Sequence, residues 1–298
     1  MQPRLRVEEY FARSGRTLRK SRSRLWFNET LKPVLIRWLL KACGLYYRGK
    51  NNALRPIVRK LDLAIPDLPA AFDGFTLLHI SDLHIDKVDG LAEALAAIIE
   101  PLRPDLCILT GDYRYEIRGS CAEVYPRMER ILASVHARLG TIATLGNHDA
   151  AEIARWLQAR GVRMLVNDAV PILSRGAGIW VAGVDDSHDY RCNDLPLALA
   201  GVPKGAFTVL LAHTPALYRE AAAAGIRLYL CGHTHAGQIR VPILGALKKN
   251  GNYPRAFVQG FWVYNSMHAY TSWGAGCSTL PVRFNCPPEV ALLRLRRG

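Results

Sequence analysis

The chain has no C-x-x-C pair, and its seven cysteines are odd in number. Only Cys277 and Cys286 stand within a dozen residues of each other. That pattern argues against a disulfide framework and suits buried thiols in a reducing compartment, with a regulatory pair at Cys277 and Cys286 as the alternative. A membrane-spanning run is missing as well. The best candidate, residues 31–48, is shorter than the ~20 mostly apolar residues that cross a bilayer and is broken by charges. Those charges, and the lack of a small-residue cleavage site after it, also argue against a signal peptide. Acidic residues are scarce at one end only. Residues 1–60 hold 16 Lys/Arg against 3 Asp/Glu, a balance of +13, while residues 61–298 hold 23 against 22, a balance of +1, which together give the net +14. A nucleic-acid enzyme would carry its basic residues around the site itself, so nucleic acid is not the expected partner.

With 298 residues, half of them hydrophobic, the chain can bury a large core. We expect two parts: a basic arm with its linker over residues 1–68, punctuated by Pro66 and Pro69, and a main domain over 69–298. Residues 1–30 are Arg-rich, with few large apolar residues before Trp26 and Phe27, and are expected to be mobile without a partner. Residues 31–48 differ. Leu31, Val34, Leu35, Trp38, Leu39, Ala42, Leu45 and Tyr46 recur with helical spacing, among Lys32, Arg37, Lys41 and Arg48. Thr30 suits the cap, Pro33 the first turn, and Gly49 the end, with Gly44 weakening the last turn. Such a helix fits the surface of an anionic membrane, with Trp38 and Tyr46 at headgroup depth; the alternative is packing on its own domain.

From residue 69 on, strand-like and helix-like runs alternate. Strands are expected near 75–80, 106–109, 141–145, 164–166, 179–184, 207–212, 227–231, 238–241, 262–265 and 290–295, and helices near 91–102, 122–139, 150–160 and 216–224. The β runs are apolar on both faces, so both sides of the sheets should be covered.

Five of these runs end in metal-binding side chains: Ser81-Asp82-Leu83-His84, Gly111-Asp112-Tyr113, Gly146-Asn147-His148-Asp149, Ala212-His213-Thr214-Pro215 and Gly232-His233-Thr234-His235. Five of the nine histidines fall in them. With Asp82, Asp112 and Asn147 they form the mixed oxygen and nitrogen set that suits a pair of divalent ions. Asp112, alone after its strand, is placed to bridge two ions. His79, His136, His188 and His268 are read as surface or core histidines.

This ordered set resembles the calcineurin-like metallophosphoesterases over roughly residues 74–298. The runs Gly232-His-Thr-His-Ala-Gly-Gln238 and Leu280-Pro-Val-Arg-Phe-Asn-Cys-Pro-Pro-Glu289 are similar to a bacterial, membrane-associated branch that includes a UDP-2,3-diacylglucosamine pyrophosphatase. The resemblance implies an α/β, four-layer fold, a central β-sandwich flanked by helices. It implies one ion on Asp82, His84, Asp112 and His235, and a second on Asp112, Asn147, His213 and His233. His148 would bind no metal; it would contact the phosphoryl oxygen or protonate the leaving group, with Asp149 orienting it. Arg114 and Arg283 are candidates for the phosphate contact. The phosphoprotein phosphatase branch carries an aspartate three residues after the metal-binding one; Tyr115 holds that place here, which disfavours protein phosphatase activity.

The expected reaction is hydrolysis of a phosphoester or phosphoanhydride with manganese, iron or zinc, on a lipid-linked substrate such as UDP-2,3-diacylglucosamine. A soluble or cyclic nucleotide diester is the alternative. Location at the cytoplasmic face of the inner membrane would follow from the arm.

Overall fold

A computed structural model describes residues 1–14, 31–242, 245–246 and 251–298. The expectations placed on Trp26, Phe27 and the Thr30 cap lie outside the described residues.

The helices run α1 (Gln2–Ser14), α2 (Lys32–Ala42), α3 (Leu45–Ala53), α4 (Leu91–Ile99), α5 (Val124–Ser134), α6 (Ala151–Gln158), α7 (Leu195–Leu199) and α8 (Tyr218–Ala223). The strands are β1 (Ile57–Ile65), β2 (Thr76–Ile80), β3 (Leu106–Thr110), β4 (Thr141–Thr144), β5 (Arg163–Met164), β6 (Asp168–Ser174), β7 (Ala177–Gly183), β8 (Thr208–Leu211), β9 (Leu228–Cys231), β10 (Arg240–Val241), β11 (Gly245–Ala246), β12 (Gly260–Tyr264), β13 (Met267–Thr271) and β14 (Glu289–Arg297). One six-stranded sheet has the order β1-β14-β2-β3-β4-β5, the other β12-β13-β9-β8-β7-β6, and β10 and β11 form a small ribbon.

Successive side chains of a strand point to opposite faces, and here both faces are covered. Leu77, Leu106, Ile108, Val209, Leu211, Leu228 and Leu230 meet in one core between the sheets. Their neighbours turn outward: Leu78, Cys107 and Leu109 pack under α4, α5 and α6, and Leu210, Tyr229 and Cys231 under α7 and α8. The layers are therefore helix, sheet, sheet, helix, as the resemblance implies. The strands β2, β3 and β4 run parallel, as do β7, β8, β9 and β13, so the loops after β2, β3, β4, β8 and β9 gather at the carboxyl ends of both sheets.

Four expectations need correction. Residues 1–14 are not loose: α1 docks on the domain. Residues 57–65, placed in the linker, are the edge strand β1, paired in parallel with β14 from Ile57–Glu289 to Ile65–Arg297. The single helix over 31–48 is two helices, broken where Gly44 takes φ 68°. Gly49 does not end a helix. It lies inside α3, where a β-carbon would sit 2.7–2.8 Å from Phe284 and Val282, so glycine there permits close packing. Besides β1, the strands β6, β11 and β13 escaped the pattern: β6 contains Pro171, tolerated because β6 is the sheet's edge, β11 has only two residues, and β13 carries polar His268 and Thr271. Among the described residues no helix is long and apolar enough to cross a membrane.

Candidate metal centre

Each loop leaves its strand through a sharp turn. Asp82 (φ 55°), His84 (37°), Asp112 (58°), His233 (70°) and His235 (49°) all have left-handed backbones. For residues with a β-carbon this costs of order 1–3 kcal/mol each and persists only where the surroundings enforce it. The enforcement is visible. The Asp82 amide donates to Gly111 O (3.0 Å), that of His84 to Asp112 O (2.9 Å) and that of Gly232 to His213 O (2.8 Å). The buried Asp149 carboxylate accepts from the amides of Asp112 (2.7 Å), Tyr113 (2.8 Å) and Gly146 (2.8 Å). At Gly111 (φ 87°) a β-carbon would lie 2.3 Å from the Gly146 nitrogen, so the two loops can cross only with glycine.

These turns bring three donor groups together: Asp82, His84 and His235; His84, Asp112 and His148; and Asp112, His213 and His233, with donor atoms within 4.8 Å of one another in each. His84 links the first group to the second, and Asp112 links the second to the third. Asp112 Oδ2 lies 3.4 Å from His84 Nε2, 3.2 Å from His213 Nε2 and 4.0 Å from His148 Nε2. His235 Nε2 stands 3.5 Å from Asp82 Oδ1, and His233 Nδ1 stands 3.0 Å from Asn147 Oδ1. The sequence-derived set of seven ligands is thus brought into one buried neighbourhood.

The donors fit divalent cations. A carbonyl only accepts, so His84 Nδ1 must donate to Arg114 O (2.8 Å) and His213 Nδ1 to Thr110 O (2.8 Å). Both Nε2 atoms then face inward. There they meet other imidazole nitrogens: His84 Nε2 is 3.2 Å from His235 Nε2, and His213 Nε2 is 3.2 Å from His233 Nδ1. His233 Nε2 is buried without a hydrogen-bond partner among the described residues.

Electrostatics point the same way. Burial drives the His84 imidazolium down to about 3, and burial with neighbouring imidazoles holds His233 and His235 well below the usual histidine range, so their lone pairs are available. Burial would raise the Asp112 carboxyl, but His213 and His148 outweigh it and keep it ionised. Burial would also lower His213; Asp112, and then Asp82, reverse this and lift it to about 10. Positive charge is therefore stabilised beside Asp112 even by protein groups alone.

His148 is half-buried and presents its Nε2 to the same hollow. Its Nδ1 donates to the Tyr115 carbonyl, and its amide donates to Asp112 Oδ1 (2.9 Å). The expectation that Asp149 orients it is incorrect, because that carboxylate is occupied by the three amides above. Arg114 and Arg283 are also not phosphate contacts here. Arg114 donates to His148 O (2.7 Å), Ile117 O (2.5 Å) and Gly119 O (3.2 Å). Arg283 is wholly buried and donates to the carbonyls of Trp273 (2.9 Å), Gly274 (2.9 Å) and Gly276 (3.1 Å from Nε), bracing the turn at His235.

Asp189 was overlooked, and His188, read as a surface or core histidine, stands beside the donors. Asp189 Oδ2 accepts from Asn147 Nδ2 (2.9 Å), and the His188 ring lies 4.4 Å from that of His233. Their loop is built on the buried Asp186 carboxylate, which accepts from the amides of His188 (2.9 Å), Asp189 (2.7 Å) and Tyr190 (2.8 Å). The signal was available: Asp185-Asp186-Ser187-His188-Asp189 follows an apolar strand in the same manner as the five runs. The cysteines are free, and Cys277 and Cys286 are both buried.

A phosphohydrolase that works with metal ions is what this fold and donor set define. Residues 75–237 match the family model described as calcineurin-like phosphoesterase, and the chain belongs to that family. It is 30% identical over 231 residues to the phosphodiesterase YaeI of Escherichia coli, covering 74% of this chain and 82% of that protein. It is 28% identical to the uncharacterized metallophosphoesterase YkuE of Bacillus subtilis, covering 77% and 82%. It is also 29% identical to a bovine transmembrane protein with a metallophosphoesterase domain, covering 88% of this chain and 61% of that one.

Proposed function

We propose that the protein uses two divalent cations to hydrolyse a phosphodiester or phosphoanhydride in a lipid-linked substrate at an anionic membrane surface, and that UDP-2,3-diacylglucosamine is that substrate. Asp82, His84, Asp112 and His235 would hold one ion, and Asp112, Asn147, His213 and His233 the other; manganese, iron and zinc suit this mixed set. When bound, such a pair acidifies a water and stabilises charge developing on the phosphoryl group. The protein's own part falls to His148. With its Nδ1 proton fixed on Tyr115, Nε2 carries the exchangeable proton; when protonated it would donate to the phosphoryl oxygen or pass that proton to the leaving oxygen.

The observation that carries the lipid reading is the helix beside the mouth. On α2, Leu35, Trp38 and Leu39 are 66%, 65% and 63% exposed, and on α3 Tyr47 is 72% exposed. A contiguous apolar patch of this kind marks an interaction surface. Cations are mixed in: Lys41 Nζ lies 5.7 Å from the Trp38 ring and 5.6 Å from that of Tyr46. Arg37 of α2 lies near enough to Lys87 to repel its charge, and Lys87 Nζ sits 3.4 Å over the Tyr115 ring, itself 5.8 Å from His148. From the other side, Asn52 of α3 donates to Arg283 O (2.9 Å), behind His235. A headgroup in the hollow would leave its acyl chains at α2. Packing of α2 on its own domain, the other reading of this helix, leaves these side chains uncovered. We place the protein at the cytoplasmic face of the inner membrane on the same grounds.

The test is release of UMP from UDP-2,3-diacylglucosamine in mixed micelles with manganese. Absence of UMP rejects this substrate. The second reading, hydrolysis of soluble diesters, is favoured by the relative named a phosphodiesterase. Faster turnover of a small nucleotide diester, insensitive to anionic vesicles, would replace the lipid proposal with it.

A further inference from the structure

The helix α1 inserts a charge behind the metal centre. Arg4 is fully buried. Its Nε and Nη2 donate to Asp185 Oδ1 (2.9 and 2.7 Å), Nη1 to Asp149 O (2.5 Å) and Nη2 to Gly146 O (3.0 Å). The guanidinium also lies 3.9 Å from the centre of the Tyr190 ring. One turn further on, Glu8 accepts from the Ala151 amide (2.8 Å) at the start of α6.

What these partners have in common is their position. Gly146 and Asp149 bracket Asn147 and His148. Asp185 opens the loop that carries His188 and Asp189, and Asp189 closes the circuit by holding Asn147 Nδ2. Arg4 therefore ties the two loops on the second-ion side of the centre to each other. A lysine cannot substitute: only a planar fork of N–H groups reaches a carboxylate and two carbonyls at once. Simple docking of an amphipathic helix would bury apolar surface instead, yet Tyr10 of α1 stays 51% exposed.

We propose that Arg4 is a positioning residue, and that docking of α1 sets the Gly146–Asp149 loop so that Asn147 and His148 face the reacting groups. The proposal rests on the reading of that loop as part of a two-cation site. Arg4 touches neither substrate nor ion; it acts through the two carbonyls and Asp185.

The test uses the full chain, a small soluble phosphodiester and saturating manganese. Arg4→Ala should lower kcat about tenfold or more while KM stays within about threefold, because misplacement of catalytic groups acts on the chemical step. Equilibrium dialysis should show weakened binding of one of two manganese ions, since Asn147 serves only the second. Added guanidinium chloride should restore much of the lost kcat by filling the hole, and sodium chloride at equal ionic strength should not. Arg4→Lys should fall between Arg4→Ala and the parent. The double change Arg4→Met with Asp185→Leu leaves no unpaired buried charge and keeps the fold testable; it must still lose kcat. Parent-like kcat and manganese binding in the double variant, or an Arg4→Ala protein that loses thermal stability alone, would overturn the proposal. If the parent itself cleaves no diester, the proposed reaction fails and the manganese measurement alone decides on Arg4.

Discussion

The first two helices come from the same basic end of the chain and dispose of it in opposite ways. In α1 a guanidinium is buried completely, while Tyr10 is left half in solvent. In α2 the apolar Leu35, Trp38 and Leu39 face outward. Both invert the usual partition of charge to the surface and hydrocarbon to the core. The difference lies in what each helix meets. Around Arg4 stand a carboxylate and two carbonyls already fixed by the metal-site loops, which repay the loss of water from a cation. Around α2 no such partner stands among the described residues, and the exposed patch is the surface we propose meets the membrane. One basic end of the chain thus supplies an internal clamp through Arg4 and, through the apolar side chains of α2, the external contact we propose.

Several measurements would break or sharpen that contrast. The largest effect belongs to the centre that α1 is proposed to brace. Asp112→Ala should abolish metal loading and turnover together, a loss of about a thousandfold or more, read by metal analysis and a diester assay. His148→Ala should keep the ions and lose roughly 10²–10⁴-fold in kcat; full activity would remove His148 from the chemistry. For α2, the pair Leu35→Glu and Leu39→Glu should cut flotation with anionic vesicles by about tenfold or more, because each buried leucine contributes roughly 1.5–3 kcal/mol. The same pair should affect a small soluble diester far less than a lipid-linked one. Equal flotation of the variant and the parent would show that α2 is not the contact.

Two smaller effects concern protons. His213 is lifted to about 10 beside Asp112, so a cation that takes its Nε2 must displace a proton at neutral pH. Metal uptake should then release protons and tighten as pH rises, which calorimetry in buffers of different ionisation enthalpy would detect. His79 is held down to about 3 by burial alone, against 6.5 in the unfolded chain. Between those values the unfolded state binds a proton that the folded state refuses, so stability falls as pH drops, by roughly 1.4 kcal/mol per pH unit for such a group. Urea midpoints for His79→Gln should show a shallower acid slope than the parent.

Much of the fold could be read in advance because alternation along a strand is a local property. The runs at 106–109, 209–212 and 228–231 are apolar at every position, and the structure covers both their faces. Strands with compromised patterns were missed for equally local reasons: Pro171 sits in β6, and Lys60 and Asp62 interrupt β1, an edge strand that needs to bury only one face. The donors that meet in the candidate centre could be picked out because few side chains bind divalent ions, and each closed an apolar run. His188 and Asp189 carried the same signal and were passed over. The arginines carried none.

From the sequence alone follow the alternating strands and the ordered donors at their ends, since periodicity and ligand chemistry belong to the residues themselves. The roles of Arg4, Arg114 and Arg283 were settled only when the chain folded. A guanidinium takes its meaning from the oxygens that surround it, and here, the Asp185 carboxylate apart, those oxygens are backbone carbonyls, which every residue possesses and no sequence distinguishes. For Arg4 they arrive from more than a hundred residues away.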